Sequence, residues 1–235
     1  MNMLAFDTCF DACSVCVAQW SDGVVVELAS ALERFQTGHA ERLVPMIDEA
    51  MGRAGATFAE LDRLAVTVGP GTFTGTRIGI AAARGLALAT GAEVVGASSL
   101  AVMAEVAGHE LGARAPDEDM AVAVDARRGE VYVQLFAAGE RNASSPMLLT
   151  VEDAARLGGG GPLLVVGSGA AAVAAAAERA GRPATARLAG LLPTASALAR
   201  MAAGLAPAEG PLQPLYLRPP DAKPQDGKSI ARDQR

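Results

Sequence analysis

The 235-residue sequence predicts a two-lobed α/β fold with mixed sheets, the second lobe a variation on the first. Three observations carry that prediction. A strand ending in aspartate, then a turn, then an alternating strand occurs twice: residues 4–7 (ending in Asp7) with 14–19, and residues 120–125 (ending in Asp125) with 130–136. A short apolar strand running into a glycine turn and a small-residue helix also occurs twice. Residues 64–68 lead into Gly69-Pro70-Gly71, and residues 163–166 lead into Gly167-Ser168-Gly169. Between the halves, residues 108–119 are polar, with mixed charges and Pro116. The expected division is 1–108 for the N-terminal lobe, 109–218 for the C-terminal lobe and 219–235 for a charged, apolar-poor tail expected to be disordered.

In chain order, residues 3–9, 14–19 and 23–30 read as strands joined by hairpins, with breaks at Phe10-Asp11 and Ser21-Asp22-Gly23. Residues 39–54 read as a helix, because Ala40, Leu43, Val44, Ile47, Ala50, Met51 and Ala54 recur at intervals of three and four. A buried strand over 64–68, a glycine-rich loop over 69–75 and a helix over 76–90 follow. A strand over 93–97 and a helix from about Ser98 complete the first half.

Hydrophobic residues make up 51% of the chain, enough for a large core, and aromatics only 4%, so the helices are expected to pack closely on small side chains. The net charge of −6 excludes a chain that attracts phosphate backbones by bulk charge alone. No apolar run reaches the ~20 residues of a membrane helix. The first residues carry no basic region, so no signal peptide is expected, and three cysteines do not make a disulfide framework. A cytoplasmic location is the expectation.

Candidate chemistry sits at the turns. Glycines between a strand and a helix start, here Gly69, Gly71 and Gly75, either cradle an anion on backbone N–H groups or simply allow close packing. The segment is not a P-loop, since no lysine follows Gly75, and it does not have the dinucleotide spacing. Asp7 and Asp125, at matching strand ends, are candidate vestigial nucleotide-site turns. The plainer reading is turn aspartates capping N–H groups. Cys9, Cys13 and Cys16 have the spacing of an iron–sulfur motif, yet alternation along a hairpin should separate the sulfurs. Only His39 and His109 occur, and Leu43 stands four residues after His39, so no helical metal pair is formed. Between Ile78 and Ala89 only Arg84 is charged, and Gly75, Gly79, Ala83 and Ala87 share one face. A helix apolar nearly all round needs cover on more than one side. With the 39–54 helix it makes either ordinary core or a two-helix docking face.

These segments resemble the TsaB (YeaZ) family. The stretches that carry the resemblance are LAFDTC at 4–9 with residues 13–18 behind it, HAERLVPMI at 39–47 and VTVGPGTFTGTRIGIAAARGLA at 66–87. DARRGEVYVQLF at 125–136 and PLYLR at 214–218 complete them. The resemblance implies the actin/Hsp70/sugar-kinase (ribonuclease H-like) superfold. It implies a non-catalytic partner, without cofactor or metal, of a TsaD-type (Kae1-like) catalytic paralogue that places threonylcarbamoyl on tRNA adenosine (t6A). In that family's catalytic paralogue a His-x-x-x-His pair holds a metal; His39 matches the first position and Leu43 replaces the second. The implied partners are the TsaD-type paralogue and a TsaE-type ATPase, with tRNA met only through the complex; without the paralogue, the apolar face is expected to pair with a second copy of the chain, because it would otherwise be wet. The docking surface inferred from this match is Leu43, Ile47, Met51, Ile78, Ala82 and Leu86. The competing expectation is an ATP-dependent enzyme of the same superfold using Asp7, Asp125 and the Gly69–Gly75 loop.

Overall fold

The computed structural model describes residues 1–112, 115, 117–138 and 143–218. The expected disordered tail, 219–235, lies outside the described residues. The N-terminal half contains β1 (Asn2–Asp7), β2 (Ala12–Ser21), β3 (Val24–Arg34), α1 (His39–Ala54), β4 (Arg63–Thr67), α2 (Phe73–Thr90), β5 (Glu93–Ala97) and α3 (Ser99–Leu111). The second half contains β6 (Asp119–Asp125), β7 (Glu130–Phe136), β8 (Met147–Thr150), α4 (Val151–Ala154), β9 (Leu163–Val166), α5 (Ala170–Arg179), β10 (Ala184–Arg187) and α6 (Ala195–Ala202).

The duplication is explicit in the sheets. The first runs β3-β2-β1-β4-β5 and the second β8-β7-β6-β9-β10. In each, the first three strands are antiparallel neighbours and the last two join in parallel. Hairpins account for the antiparallel half, because short polar turns can reverse a strand. The parallel half needs helical crossovers: α1 precedes β4 and α2 joins β4 to β5, as α4 precedes β9 and α5 joins β9 to β10.

Three cores follow. On the outer face of the first sheet, α1 and α2 pack over Leu4, Phe6, Val15, Leu64 and Val66. On the outer face of the second, α4 and α5 cover Ala121, Ala123, Val131, Val133 and Val165. Between the sheets, α3 and α6 bury Met3, Ala5 and Cys16 together with Val122, Val124 and Val166 in one shared core. Helix α6, late in the sequence, packs across β1, β2 and β4 of the first sheet, while α3 packs on β6 and β7 of the second. The lobes are therefore bonded by the largest apolar core of the molecule rather than by a thin linker.

Helix α2 begins three residues before the pattern predicts. The Thr72 Oγ1 accepts the Gly75 N–H at 3.1 Å, so the supposed loop residues Phe73, Thr74 and Gly75 form a capped first turn. Helix α1 keeps the expected bounds and stops at Gly55, whose φ of 64° takes the left-handed cap. No helix among the described residues is long and apolar enough to cross a membrane.

Candidate functional site

The glycine segment is a packing device. A Cβ on Gly75 would collide with the Thr8 carbonyl, and one on Gly79 would come within 2.7 Å of Thr8 Oγ1. Thr8 Oγ1 itself donates to the Gly75 carbonyl at 2.7 Å. Helix α2 is thus drawn against the end of β1 more closely than side chains permit. Gly71 faces the Cys9 carbonyl in the same manner, and Gly69 takes a φ of 105° before Pro70. The second lobe repeats the arrangement, with Gly167 against the Ala123 carbonyl at a φ of 99°.

Asp7 does not present its carboxylate to a cleft. It is 1% exposed. Its Oδ1 accepts the Thr67 hydroxyl and the Cys9 N–H. Burial pushes the Asp7 carboxyl up to about 6, and those hydrogen bonds offset only part of the effect. Asp125 is exposed; its Oδ1 caps the Arg127 N–H at 2.7 Å, and its own N–H donates to Ser168 Oγ. Both aspartates therefore do the work of turn residues. The second turn has Arg127, Arg128 and Gly129 all at positive φ, a strained tip.

The three thiols diverge. Cys9 Sγ contacts Thr67 Oγ1, Cys13 lies in the core under α1, and Cys16 lies on the opposite face in the core between the sheets. Burial pushes the Cys13 and Cys16 thiols up to about 12 and Cys9 higher still. His39 Nε2 sits 2.8 Å from the Phe10 carbonyl and its ring meets Phe35 edge-on, so it pins the first turn to α1. His109 is exposed in the last turn of α3. Among the described residues no three His, Cys, Asp or Glu side chains converge as metal ligands.

The inferred docking residues divide. Leu43, Ile47 and Met51 are only 1–2% exposed and belong to the core beneath α1, so the α1 half of the expected surface is corrected. The apolar period on α1 marks the side it turns to its own sheet, and among its large apolar residues only Val44 is open, at 62%. Ile78, Ala82 and Leu86 on α2 are half-buried. The small-residue face predicted for Gly75, Gly79 and Ala83 is also inward. Outward instead is a stripe the sequence reading did not select: Thr74, Ala81, Gly85, Leu88 and Ala89, with Leu88 at 90% exposure. The signal was present, since Thr74, Ile78, Ala81, Gly85 and Leu88 follow helical spacing without a charge.

A strap, residues 208–218, borders this stripe. The Ala208 N–H bonds to the Val94 carbonyl and the Leu215 N–H to the Val68 carbonyl at 2.7 Å. Arg84 of α2 donates to the Leu212 carbonyl and Arg77 Nε to the Tyr216 hydroxyl at 2.6 Å. Arg218 then crosses to the second lobe, donating to the Ala126 carbonyl and pairing with Glu130 at 2.5 Å.

Fold and site together define a duplicated, two-lobed α/β protein with tightly packed glycine turns and an uncharged helix face turned to solvent. A family model described as TsaD, tRNA N6-adenosine threonylcarbamoyltransferase, matches residues 21–197. The Escherichia coli K12 tRNA threonylcarbamoyladenosine biosynthesis protein TsaB is 40% identical over 132 residues, covering 56% of this chain and 53% of that one. The solved structure of YeaZ from Pseudomonas aeruginosa has a TM-score of 0.75 at 33% identity, over 92% of this chain and 99% of that one. An uncharacterized Mycobacterium tuberculosis protein is 35% identical over 223 residues, 95% of this chain and 94% of that one. The chain belongs to the TsaB (YeaZ) family. It spans about half the length, 53% and 52%, of the TsaB-named relatives from Escherichia coli and Haemophilus influenzae.

Proposed function

We propose that the chain is a non-catalytic partner of a TsaD-type transferase in threonylcarbamoylation of tRNA adenosine, acting by forming a heterodimer through α2. The observation that carries this reading is the outward stripe of α2. Thr74, Ala81, Gly85, Leu88 and Ala89 offer an uncharged face with small residues that let another helix approach closely. The name of the Escherichia coli relative, a tRNA threonylcarbamoyladenosine biosynthesis protein, supports the pathway. The buried Asp7 supports a pseudoenzyme over an ATP-dependent enzyme, because its carboxylate is spent on the Thr67 hydroxyl and the Cys9 N–H and faces no cleft. A TsaE-type ATPase joins the assembly, and a second copy covers the stripe when the paralogue is missing.

The test is titration calorimetry of the chain against the TsaD-type paralogue. Leu88→Asp and Ala81→Asp, both at exposed positions, put a carboxylate into a face that becomes dry on docking, so both should abolish measurable pairing and t6A formation while leaving the melting curve intact. Tight pairing in both variants would remove α2 as the docking face. Leu43→Asp is not a test of docking, because it would place a charge in the core.

A further inference from the structure

Helix α2 carries Arg77 and Arg84 and no acidic residue, in a chain whose net charge is −6. Among the described residues neither arginine is paired with a carboxylate: Arg77 donates to a phenol and Arg84 to a carbonyl. They lie on the strap side of the outward stripe, next to two half-exposed rings. Phe73 is 47% exposed and Tyr216 42%.

The geometry of this cluster is informative. The rings of Phe73 and Tyr216 are stacked, with centres 5.3 Å apart and planes at 24°. The Arg77 guanidinium lies 3.6 Å from the Phe73 centre and 5.6 Å from that of Tyr216. Were the guanidinium and Tyr216 on opposite faces of Phe73, they would be about 7 Å apart. They therefore share one face, which the 2.6 Å Arg77–Tyr216 hydrogen bond also requires. With that face occupied by Arg77 and Tyr216, Phe73 is still 47% exposed. Tyr216 of the strap and Arg77 back the ring from one side.

We propose that this open face of Phe73 is a stacking platform for an unpaired base of the tRNA, with Arg84 and Arg77 supplying positive charge to the adjoining phosphates. The inference rests on the tRNA-modification reading above and adds a direct RNA contact to it. A flat π-face beside uncompensated guanidinium groups suits a base with its phosphate, and any base can stack. The N-terminal end of α2, at Phe73, adds the positive end of its dipole to the same place. The platform also reconciles an acidic chain with an RNA substrate, since two arginines stand on one edge of a helix that carries no acidic residue.

The experiment uses the full chain in complex with its TsaD-type paralogue, and an unmodified tRNA transcript that the complex modifies as the probe. Fluorescence anisotropy of the labelled transcript should show about ten-fold weaker binding for Phe73→Ala, with recovery in Phe73→Trp. Arg84→Ala should lower the slope of log affinity against log salt by about one. Calorimetry should show the same affinity between the two proteins for all variants. Unchanged tRNA affinity in a well-formed Phe73→Ala heterodimer overturns the platform alone. A loss confined to protein–protein affinity also overturns it and assigns the ring to the rim of the protein interface. If the wild-type chain forms no heterodimer, the parent reading falls and the platform with it.

Discussion

Asp7→Asn should make the protein more stable at neutral pH, and the gain should vanish in acid. The Asp7 carboxyl is fully buried and titrates at about 6 in the folded protein, against an ordinary 3.8. Between those values the folded state holds a proton that the unfolded state has released. Stability contributed by that proton is complete below pH 4 and is lost as pH rises through 6. The difference of about two units corresponds to about 3 kcal/mol. Asparagine keeps the Oδ1 acceptor for the Thr67 hydroxyl and the Cys9 N–H but cannot ionise. Any constant cost of its new amide protons cancels when the wild-type-to-variant difference is compared across pH. Urea unfolding of both proteins at half-unit steps from pH 4 to 7.5 measures this. The variant's advantage should grow by about 3 kcal/mol over that range, with most of the change between pH 4 and 6.5. A flat difference, or one that shrinks with pH, would mean that Asp7 is already ionised at low pH in the fold and that the buried-acid argument is wrong.

The other predictions concern packing and a buried ion pair. Gly79→Ala places a methyl 2.7 Å from Thr8 Oγ1 and 3.2 Å from Val66 Cγ2, and should destabilise by about 1–3 kcal/mol. Gly85→Ala, on the same helix with nothing within 4 Å, should stabilise by about 0.5–1 kcal/mol in the same denaturation assay. If both changes act in the same direction, close approach to β1 is not what selects glycine on α2. Arg182→Ala strips the buried Asp119 carboxylate of its 2.7 Å partner and also frees the Gly161 carbonyl, and should cost about 3–5 kcal/mol. A midpoint shift worth less than about 1 kcal/mol would show that the N–H groups of Ala138 and Gly159 hold Asp119 without the arginine.

What was legible in the sequence is what is local. The hairpin turns, the 39–54 helix and the repeated strand–glycine–helix unit follow from periods of two and 3.6 and from turn chemistry, and the sheets confirm the duplication. The early start of α2 escaped because Thr72-Phe73-Thr74-Gly75 has loop composition, and only the Thr72 cap makes it helical. The exchange of α3 and α6 between the lobes escaped because it is a long-range fact: Ala195 is anchored by Ser14, 181 residues away. The strap has no period, so PLYLR at 214–218 stood out as a motif without a visible role.

The misplacement of the α1 residues has a general cause. Periodicity finds the apolar side of a helix, and a helix lying on a sheet spends that side on its own core. Leu43, Ile47 and Met51 are therefore what any surface helix shows. The informative helix is α2, because it is apolar on two sides: Gly79, Ile80 and Ala83 go inward, and Ala81, Gly85 and Leu88 remain toward solvent after the core is full. Glycines and alanines dominate its inward side because the end of β1 comes so close, which leaves the larger Leu88 for the outside. A folded monomer gains nothing from an uncharged, 90% exposed leucine in the middle of such a stripe. The apolar surface on this helix, bounded by two arginines and an aromatic stack, is surface its own fold does not explain, and it is the face proposed for the partner.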